Sequence, residues 1–389
     1  MYICANPQSA PVTMKIGYDA KRLFFNGSGL GNYSRSTVEM VARQRPDCAI
    51  ALFSPKEGNT QGFVLPPNAE THTPESIFCH GPLRSLWRTY RMGRDVQQAG
   101  CDLFHGLSHE LPTDIRRSGV PSVVTMHDLI FVRYPELYKP ADRALYVHKY
   151  KRSCEIADRI IAISRQTRDD LVEFWHVDPD KIDIVYQGCN PMFYDPIDEA
   201  AIETVRQRYG LPQGPFILSV GTVEPRKNLM LTVRAMVEGS IDLPLVACGR
   251  WTPYKEQIEA YASEHGVGER LYFRNNIRFE DLPAIYHMAT VSVYASIFEG
   301  FGIPILEALN CGTPVITSAG GVFPETGGDA ALYVDPQSVG EMRNALDRVI
   351  SSESLRREMI ERGHRYALNF REEALFPPLW ASYERTLNR

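Results

Sequence analysis

The sequence predicts an α/β protein built from two doubly wound Rossmann-like domains that face a central cleft. Short β-rich runs alternate with longer helical patterns, which is typical of parallel sheets covered by helices. The alternation breaks once, in a proline-containing stretch over 190–215, and then resumes. A length of 389 residues and a hydrophobic content of 44% suit two domains with separate cores. Because ligands bind beyond the carboxyl ends of strands in such sheets, the cleft is the expected active site.

The first domain is predicted over residues 14–195. Its strands are expected over 14–18, 49–53, 103–105, 122–125, 159–163 and 182–186, and its helices over 31–43, 83–99, 141–157 and 164–175. The strand runs are short and apolar, and Ser164 suits the cap of the last helix. The stretch over 190–215, which contains a short charged helix over 198–209, is interpreted as an interdomain linker.

The second domain is predicted over residues 212–370. Its strands are expected over 216–220, 245–248, 271–273, 291–294, 315–316 and 332–334, and its helices over 230–237, 255–265, 280–288, 304–310, 339–351 and 353–369. A further helix over about 375–389 is expected to pack back on the first domain.

Net charge argues against a nucleic-acid-binding protein, and cysteine usage favours a cytoplasmic one. A net charge of −5 with both signs interspersed argues against nucleic-acid binding, because affinity for a phosphate backbone needs a concentrated excess of Lys and Arg. The eight cysteines form no Cys-x-x-Cys pair and predict reduced thiols in a cytoplasmic protein. No run approaches the roughly 18 apolar residues that a membrane span needs.

One segment suggests a peripheral membrane contact. Leu83–Arg94 carries four arginines with apolar and aromatic residues between them, a pattern that suits a helix resting on an anionic membrane at the inner face of the cytoplasmic membrane. The favoured alternative is an arginine-decorated surface helix whose Trp87, Leu83 and Leu86 face the core.

Two carboxylates flank a glycine turn in the second domain. Gly300 and Gly302 allow backbone angles that other residues avoid, and Pro304 suits the first turn of a helix. Amides exposed at a helix N-terminus can bind phosphate or sugar hydroxyls, while Glu299 and Glu307 can accept hydrogen bonds from hydroxyl pairs. Each carboxylate alone is explained equally well by solvation or by the helix dipole. The functional interpretation therefore depends on the pair and on cations upstream.

Those cations are Arg226 and Lys227, which follow the first strand of the second domain. The planar fork of arginine and the compact ammonium of lysine together suit a diphosphate. Adjacent cations are often only surface charge, but the carboxyl end of a strand in this fold faces the cleft. We therefore expect these two residues to bind an anion.

The first domain offers a glycine-rich turn and a histidine. Gly29 and Gly31 follow the first strand, where backbone amides could approach a phosphate, although a tight turn explains them equally well. His127 ends a buried strand and is either a core histidine or a residue of the site. His105 and His109 also lie near strand ends, but no carboxylate spacing around them forms a metal motif. The sequence therefore predicts no metal site.

Together these motifs resemble the retaining GT-B glycosyltransferases of the large group-1 family, family 4. The resemblance covers nearly the whole chain from Met14. Beyond the motifs above, it is carried by Ile161–Ser164, Glu224–Asn228, Glu280–Pro283, Cys311–Val315, Pro324–Glu325 and Gly328–Ala331. It implies transfer of a sugar from a nucleotide diphosphate sugar to a glycan or lipid-linked acceptor, with retention at the anomeric carbon and with neither a metal nor another cofactor.

The resemblance also implies roles in the second domain. Arg226 and Lys227 would hold the diphosphate and neutralise the leaving group, the task a metal performs elsewhere. Glu307 would accept from the ribose hydroxyls, and Glu299 would contact the donor sugar. The amides of the turn would bind its hydroxyls or the phosphate, and they belong to Gly300, Phe301 and Gly302.

Across the cleft, Gly29 and Gly31 would approach the phosphates, and His127 would face the donor sugar. No protein nucleophile or general base is assigned, because the family is expected to react by front-face attack. Ile277 belongs to the segment where the nucleotide base is read, and there the chain departs from the family pattern.

The donor therefore stays open. The run from His127 to Pro135 and the Gly29 turn look most like bacterial mannosyltransferases of surface polysaccharide assembly, which favours GDP-mannose. UDP-glucose and UDP-N-acetylhexosamine are the alternative donors. A non-hydrolysing sugar-nucleotide epimerase and a non-catalytic sugar-nucleotide-binding subunit are the alternative classes.

Overall fold

The computed structural model describes residues 14–74, 81 and 83–388, which form two compact units. Unit 1 runs to Gln187 and takes up the chain again at Glu372, and unit 2 comprises Gly188–Arg371. The boundary therefore precedes the 190–215 stretch that the sequence assigns to a linker. Each unit contains one parallel sheet, which confirms the predicted α/β class.

Unit 1 has a sheet of seven strands in the order β3-β2-β1-β4-β5-β6-β7. The strands are β1 (Met14–Asp19), β2 (Cys48–Phe53), β3 (Ala69–His72), β4 (Leu103–Gly106), β5 (Ser122–Met126), β6 (Arg159–Ala162) and β7 (Ile182–Ile184). The helices before unit 2 are α1 (Lys21–Phe25), α2 (Gly29–Gln44), α3 (Leu83–Tyr90), α4 (Met92–Gln98), α5 (Ile115–Ser118), α6 (Ile130–Arg133), α7 (Pro140–Ile156) and α8 (Arg165–Trp175). The order reverses between β1 and β4, so the crevice at their carboxyl ends is the expected ligand site.

Unit 2 repeats this plan with six strands in the order β10-β9-β8-β11-β12-β13. The strands are β8 (Ile217–Val220), β9 (Leu245–Cys248), β10 (Leu271–Arg274), β11 (Val291–Tyr294), β12 (Val315–Ser318) and β13 (Ala331–Val334). The helices are α9 (Glu199–Tyr209), α10 (Leu229–Glu238), α11 (Tyr254–Glu264), α12 (Leu282–Met288), α13 (Ile303–Asn310), α14 (Phe323–Gly327), α15 (Val339–Ser351) and α16 (Glu353–Ala367). Here the order reverses between β8 and β11.

The central strands form because their residues are apolar on both faces, as expected for a sheet covered by helices on both sides. All five residues of β5 and all four of β9 and β11 are buried. Each sheet packs against its helices in a separate hydrophobic core.

Helix α9 belongs to unit 2 and is not part of a free linker. The Tyr209 hydroxyl donates to Asp281 at 2.6 Å, and Arg208 binds the same carboxylate at 2.8 Å. Arg274 extends this contact, because its Nε donates to the Tyr209 carbonyl at 2.6 Å and its Nη2 to the Gly210 carbonyl at 2.9 Å. Arg274 therefore holds the end of α9.

Helix α17 (Glu372–Leu387) lies beyond unit 2 in the sequence and packs on unit 1. Tyr383 is fully buried there, and Ser382 and Arg385 each bind Asp183 at 2.7 Å. Asp183 belongs to β7, so α17 covers an edge strand of the sheet.

Across residues 14–74, 81 and 83–388, no helix is both long enough and apolar enough to cross a membrane. Six cysteines in this part of the chain are free and buried: Cys48, Cys101, Cys154, Cys189, Cys248 and Cys311. Cys4 and Cys79 lie outside the described residues.

Candidate active site

The turn after β8 forms the base of the candidate site in unit 2. Gly221 and Gly249 have φ angles of 145° and 150°, and a Cβ on Gly249 would lie 2.0 Å from the Gly221 carbonyl oxygen. Only glycines allow the turns after β8 and β9 to approach this closely. The chain then makes a short 3₁₀ turn over Pro225–Lys227, and Asn228 begins α10 in the left-handed region. The turn thus places two consecutive cations at the topological switch point of the sheet.

Both cations bind Glu299, which follows β11 in the next crossover. Arg226 Nη1 and Lys227 Nζ each lie 2.6 Å from Glu299 Oε1. Lys227 also donates to the Tyr294 hydroxyl at 2.6 Å, and Arg226 Nη2 binds Glu224 at 2.7 Å. The predicted diphosphate-binding pair and the predicted sugar-contacting carboxylate therefore form one hydrogen-bonded cluster.

Burial and charge compete within this cluster. Glu299 is only 9% exposed, and burial would raise its pKa, but Lys227 and Arg226 lower it to about 2. Burial lowers the pKa of Lys227, and Glu299 opposes that shift. We conclude that Glu299 is a carboxylate fixed by two cations at neutral pH. A carboxylate engaged in this way is suited to positioning the cations and to accepting hydroxyl groups.

The glycine turn leads into α13 as the sequence predicts. Gly302 precedes the helix with φ 107°, and Pro304 lies in the first turn. The Phe301 side chain is buried and packs edge-on against Phe370 at 5.8 Å, so only its backbone is suited to the predicted ligand contact.

Glu307 lies in the second turn of α13 and not in the first. Its carboxylate accepts a hydrogen bond of 2.8 Å from the Tyr286 hydroxyl, and it is 6% exposed. Burial raises the pKa of Glu307 to about 7. A carboxyl group near its titration point at neutral pH can accept from a hydroxyl when ionised and donate when protonated. Its role at the ribose stays a prediction.

Three predicted binding residues remain separate from these clusters. Gly29 is the exposed first residue of α2, whereas Gly31 is buried, with the position of a Cβ only 1.7 Å from the Asn26 carbonyl oxygen. Gly31 is therefore required for packing, whatever else it does. Ile277 is half-buried in the loop after β10.

His127 follows β5 in unit 1 and is 5% exposed. Its Nε2 lies 2.9 Å from the Leu107 carbonyl oxygen, which can only accept, so this nitrogen carries the proton. Burial and the nearby His109 lower the pKa of His127 to about 3. The imidazole is therefore neutral at pH 7, with Nδ1 as its acceptor atom.

A buried hydrogen-bond chain supports His127, and no motif in the sequence indicates it. The Tyr383 hydroxyl of α17 lies 2.7 Å from His105 Nδ1, and His105 Nε2 lies 2.8 Å from the Thr125 hydroxyl. Thr125 continues the chain to the Tyr33 hydroxyl at 3.0 Å, and the Tyr33 ring meets the His127 ring edge-on at 4.7 Å. These partners lie far apart in the sequence, so no local pattern could pair them.

We expect Tyr383→Phe to lower the free energy of unfolding by about 1–3 kcal/mol, because the buried His105 Nδ1 would lose its partner. Urea denaturation measures the change. Tyr366→Phe is the control, since its half-buried hydroxyl makes a bond to the Glu325 carbonyl. An effect of Tyr383→Phe no larger than that of the control would contradict the assignment.

The arginine-rich segment is not one continuous amphipathic helix. It divides into α3 and α4 at Arg91, and Trp87 is buried with its Nε1 donating to Asp95 at 2.6 Å. Arg88 is also buried, where it binds Asp19 and Glu110. The alternative therefore describes Trp87 better, but it is wrong for Leu86, which is 46% exposed, and Arg88 is buried instead of lying on a surface face.

Within the described residues, no group of three or more His, Cys, Asp or Glu side chains is arranged to hold a metal ion. The cluster at the switch point of unit 2 consists instead of Arg226 and Lys227 with their carboxylate partners Glu224 and Glu299.

Two Rossmann-like units, one with a cation pair and a glycine turn at its switch point, define the class of GT-B glycosyltransferases. Residues 27–193 match the family described as Glycosyltransferase Family 4, and residues 201–366 match Glycosyl transferases group 1. The two matches together cover most of the chain, so the chain belongs to the group-1 glycosyltransferases of family 4. This confirms the predicted resemblance.

Curated relatives agree with this assignment, and a solved structure shares the fold. The chain is 29% identical over 377 residues to O-antigen chain mannosyltransferase B of Escherichia coli, covering 92% of this chain and 96% of that protein. It is 30% identical over 268 residues to the serotype-specific mannosyltransferase WbdA of Escherichia coli. That match covers 66% of this chain but only 32% of WbdA. Sucrose-phosphate synthase from Thermosynechococcus elongatus shares the fold, with a TM-score of 0.75 at 23% identity over 96% of this chain and 98% of that one.

Proposed function

We propose that the chain transfers mannose from GDP-mannose to a glycan acceptor of a cell-surface polysaccharide, with retention and without a metal ion. The observation that carries the proposal is the convergence of Arg226 and Lys227 on Glu299 at the switch point of unit 2. The names of the two Escherichia coli mannosyltransferases favour mannose as the sugar and O-antigen as the kind of product.

The cation pair supplies the chemistry that the leaving group needs. Cleavage of the bond between the sugar and the diphosphate leaves negative charge on a phosphate oxygen, and fixed cations lower the energy of that state. Lys227 has three N–H groups, two of which donate to Tyr294 and Glu299, and Arg226 is fixed by Glu299 and Glu224. These partners hold the cations in place before the donor binds, so little ordering is left for the reaction itself.

We assign no protein nucleophile. Glu299 accepts from two cations and its pKa is about 2, so its lone pairs are stabilised where they are and attack at the anomeric carbon is disfavoured. In the proposed front-face reaction, the acceptor hydroxyl attacks from the side that the diphosphate leaves. The departing phosphate oxygen takes the acceptor's proton, which balances the step without a separate base.

A panel of sugar nucleotides tests the donor and the metal requirement. We expect GDP-mannose to raise the melting temperature in the presence of EDTA, and UDP-glucose and UDP-N-acetylglucosamine to raise it less. Stabilisation that needs Mg²⁺ or Mn²⁺ would contradict the cation-pair assignment. Proton NMR of the product formed from GDP-mannose then reports the anomeric configuration, and a β-linked mannoside would exclude retention.

A peripheral membrane contact through Leu83–Arg94 stays a separate prediction. Leu86 and Tyr90 expose apolar surface, and Arg91 and Arg94 are exposed beside them. Co-sedimentation with vesicles that contain anionic lipid tests the contact. Equal binding of wild type and of an Arg91→Ala/Arg94→Ala variant would exclude it.

A further inference from the structure

A pocket in unit 1 is lined by residues to which the proposed function gives no role. It lies beside the carboxyl end of β1, where α3, the loop after β4 and α7 surround a cavity of about 140 Å³. The lining residues that carry the argument are Asp19, Arg88, Tyr90, Glu110, Leu145 and Lys149. Asp19 ends β1, and the crevice between β1 and β4 is the switch point of this sheet.

The pocket is close to His127. His109 precedes Glu110, and its ring lies 5.1 Å from the His127 ring and is stacked on Tyr150 at 4.7 Å. His109 is buried with φ 63°, and among the described residues no hydrogen-bond partner reaches its Nδ1. The loop that carries Glu110 therefore joins the pocket to the histidine that the family resemblance places at the donor sugar.

The cations of the pocket are already paired inside unit 1. Arg88 is only 7% exposed, and its Nη2 lies 2.5 Å from Asp19 while its Nη1 lies 2.8 Å from Glu110. Lys149 Nζ lies 3.5 Å from the same Glu110 carboxylate. Burial would raise the pKa of Glu110, but Arg88 and Lys149 hold it below its usual value. Glu110 therefore stays ionised and acts as an acceptor.

Two large apolar side chains of the lining are exposed. Tyr90 is 58% exposed and Leu145 is 49% exposed, although both are large side chains that usually gain from burial. A pocket lined by both an exposed aromatic ring and buried hydrogen-bonding groups suits a ligand with an apolar face and hydroxyl edges. A sugar ring has both: its C–H face packs on the tyrosine, and its hydroxyl groups donate to carboxylates.

We propose that this pocket binds the terminal sugar of an uncharged glycan acceptor, with the ring on Tyr90 and its hydroxyl groups donating to Glu110. The inference rests on the proposed function and specifies its acceptor. A phosphorylated acceptor is disfavoured, because a phosphate would meet Asp19 and Glu110, and the lining cations Arg88, Lys149 and Arg152 are each already paired with a carboxylate of unit 1. The pocket thus selects hydroxyl groups over phosphate.

The first test compares two exposed side chains of α3. Tyr90→Ala removes the proposed stacking surface, whereas Leu86→Ala removes a side chain of the same helix that does not line the pocket and is 46% exposed. We expect Tyr90→Ala to raise the acceptor KM for an α-linked mannotriose by about two- to tenfold, the size of one lost aromatic contact. The Kd for GDP-mannose, measured without acceptor, is expected to stay the same. Equal acceptor KM values for wild type and Tyr90→Ala would overturn the proposal.

The second test varies the charge of the ligand and needs no donor. Saturation-transfer NMR measures binding of methyl α-mannoside, α-mannotriose and mannose 6-phosphate to the full chain. We expect wild type to bind both uncharged mannosides and to bind mannose 6-phosphate more weakly. Glu110→Gln removes one negative charge beside Arg88 and Lys149 and is expected to reverse that order. Preference of wild type for the phosphate, or no binding of either mannoside, would overturn the proposal.

These readouts separate the two proposals. If the chain is not a GDP-mannose-dependent transferase, GDP-mannose fails to raise the melting temperature and no sugar is transferred, while mannoside binding in the donor-free NMR experiment still reports on the pocket. If only the pocket assignment is wrong, donor binding and transfer persist and the acceptor KM does not respond to Tyr90→Ala.

Discussion

Lys227→Gln is expected to lower kcat for sugar transfer by about 100-fold or more, because the charge on the departing diphosphate would lose a fixed cation. The same change leaves the buried Glu299 with one cation instead of two, so it also lowers stability. Kinetics with saturating donor and acceptor measure the first effect, and urea denaturation measures the second.

A second substitution separates catalysis from folding. The double variant Lys227→Gln/Glu299→Gln removes the buried carboxylate together with the cation that it binds. We therefore expect its stability to recover toward that of wild type while kcat stays low. Arg357→Ala is the control, since it breaks an exposed ion pair with Glu353 that contributes little. Transfer at the wild-type rate by Lys227→Gln, or recovery of kcat together with stability in the double variant, would show that Lys227 acts only in folding.

Glu299→Gln and Glu307→Gln are expected to change stability in opposite directions. The folded-state pKa of Glu299 is about 2, below the ordinary value of 4.5, so its ionised form stabilises the fold above pH 4.5 and that contribution is lost as the pH falls toward 2. The pKa of Glu307 is about 7, so ionisation costs stability as the pH rises from 4.5 through 7. Each shift corresponds to roughly 3 kcal/mol.

Thermal unfolding of both variants at pH 5, 6.5 and 8 tests these two stability predictions. Glu299→Gln is expected to melt several degrees below wild type at all three pH values, since each lies above 4.5. Glu307→Gln is expected to melt above wild type at pH 8 and to lose that advantage at pH 5. A pH-independent difference for Glu307→Gln would mean that its carboxyl group does not titrate near pH 7.

The site residues of the second unit could be predicted because each of them comes shortly after the end of a strand. Arg226 and Lys227 come directly after β8 and Glu299 shortly after β11, so the order of strands and motifs was enough to predict their proximity. Tyr294 and Tyr286 were not predicted as partners, because a tyrosine at a strand end or in a helix has no pattern that distinguishes a hydrogen-bonding role from packing.

The first unit was harder to predict. β3 has the sequence Ala-Glu-Thr-His with two exposed residues, and it joins the sheet as an edge strand, so it lacks the apolar run that marks the other strands. Arg88 was assigned to a surface face because arginine is rarely buried. Its burial depends on Asp19 and Glu110, which come from two other segments of the chain, and local periodicity cannot report such a partnership.

The position of α17 has a consequence for the order in which the protein is made. Unit 1 needs Tyr383 for its buried hydrogen bonds and α17 to cover β7, but the ribosome adds α17 only after all of unit 2 has been synthesised. Unit 2 is therefore the first to have its complete set of residues, although it comes second in the sequence. During translation the β7 edge of the sheet lacks its covering helix, so its backbone groups stay exposed until the last helix has been synthesised.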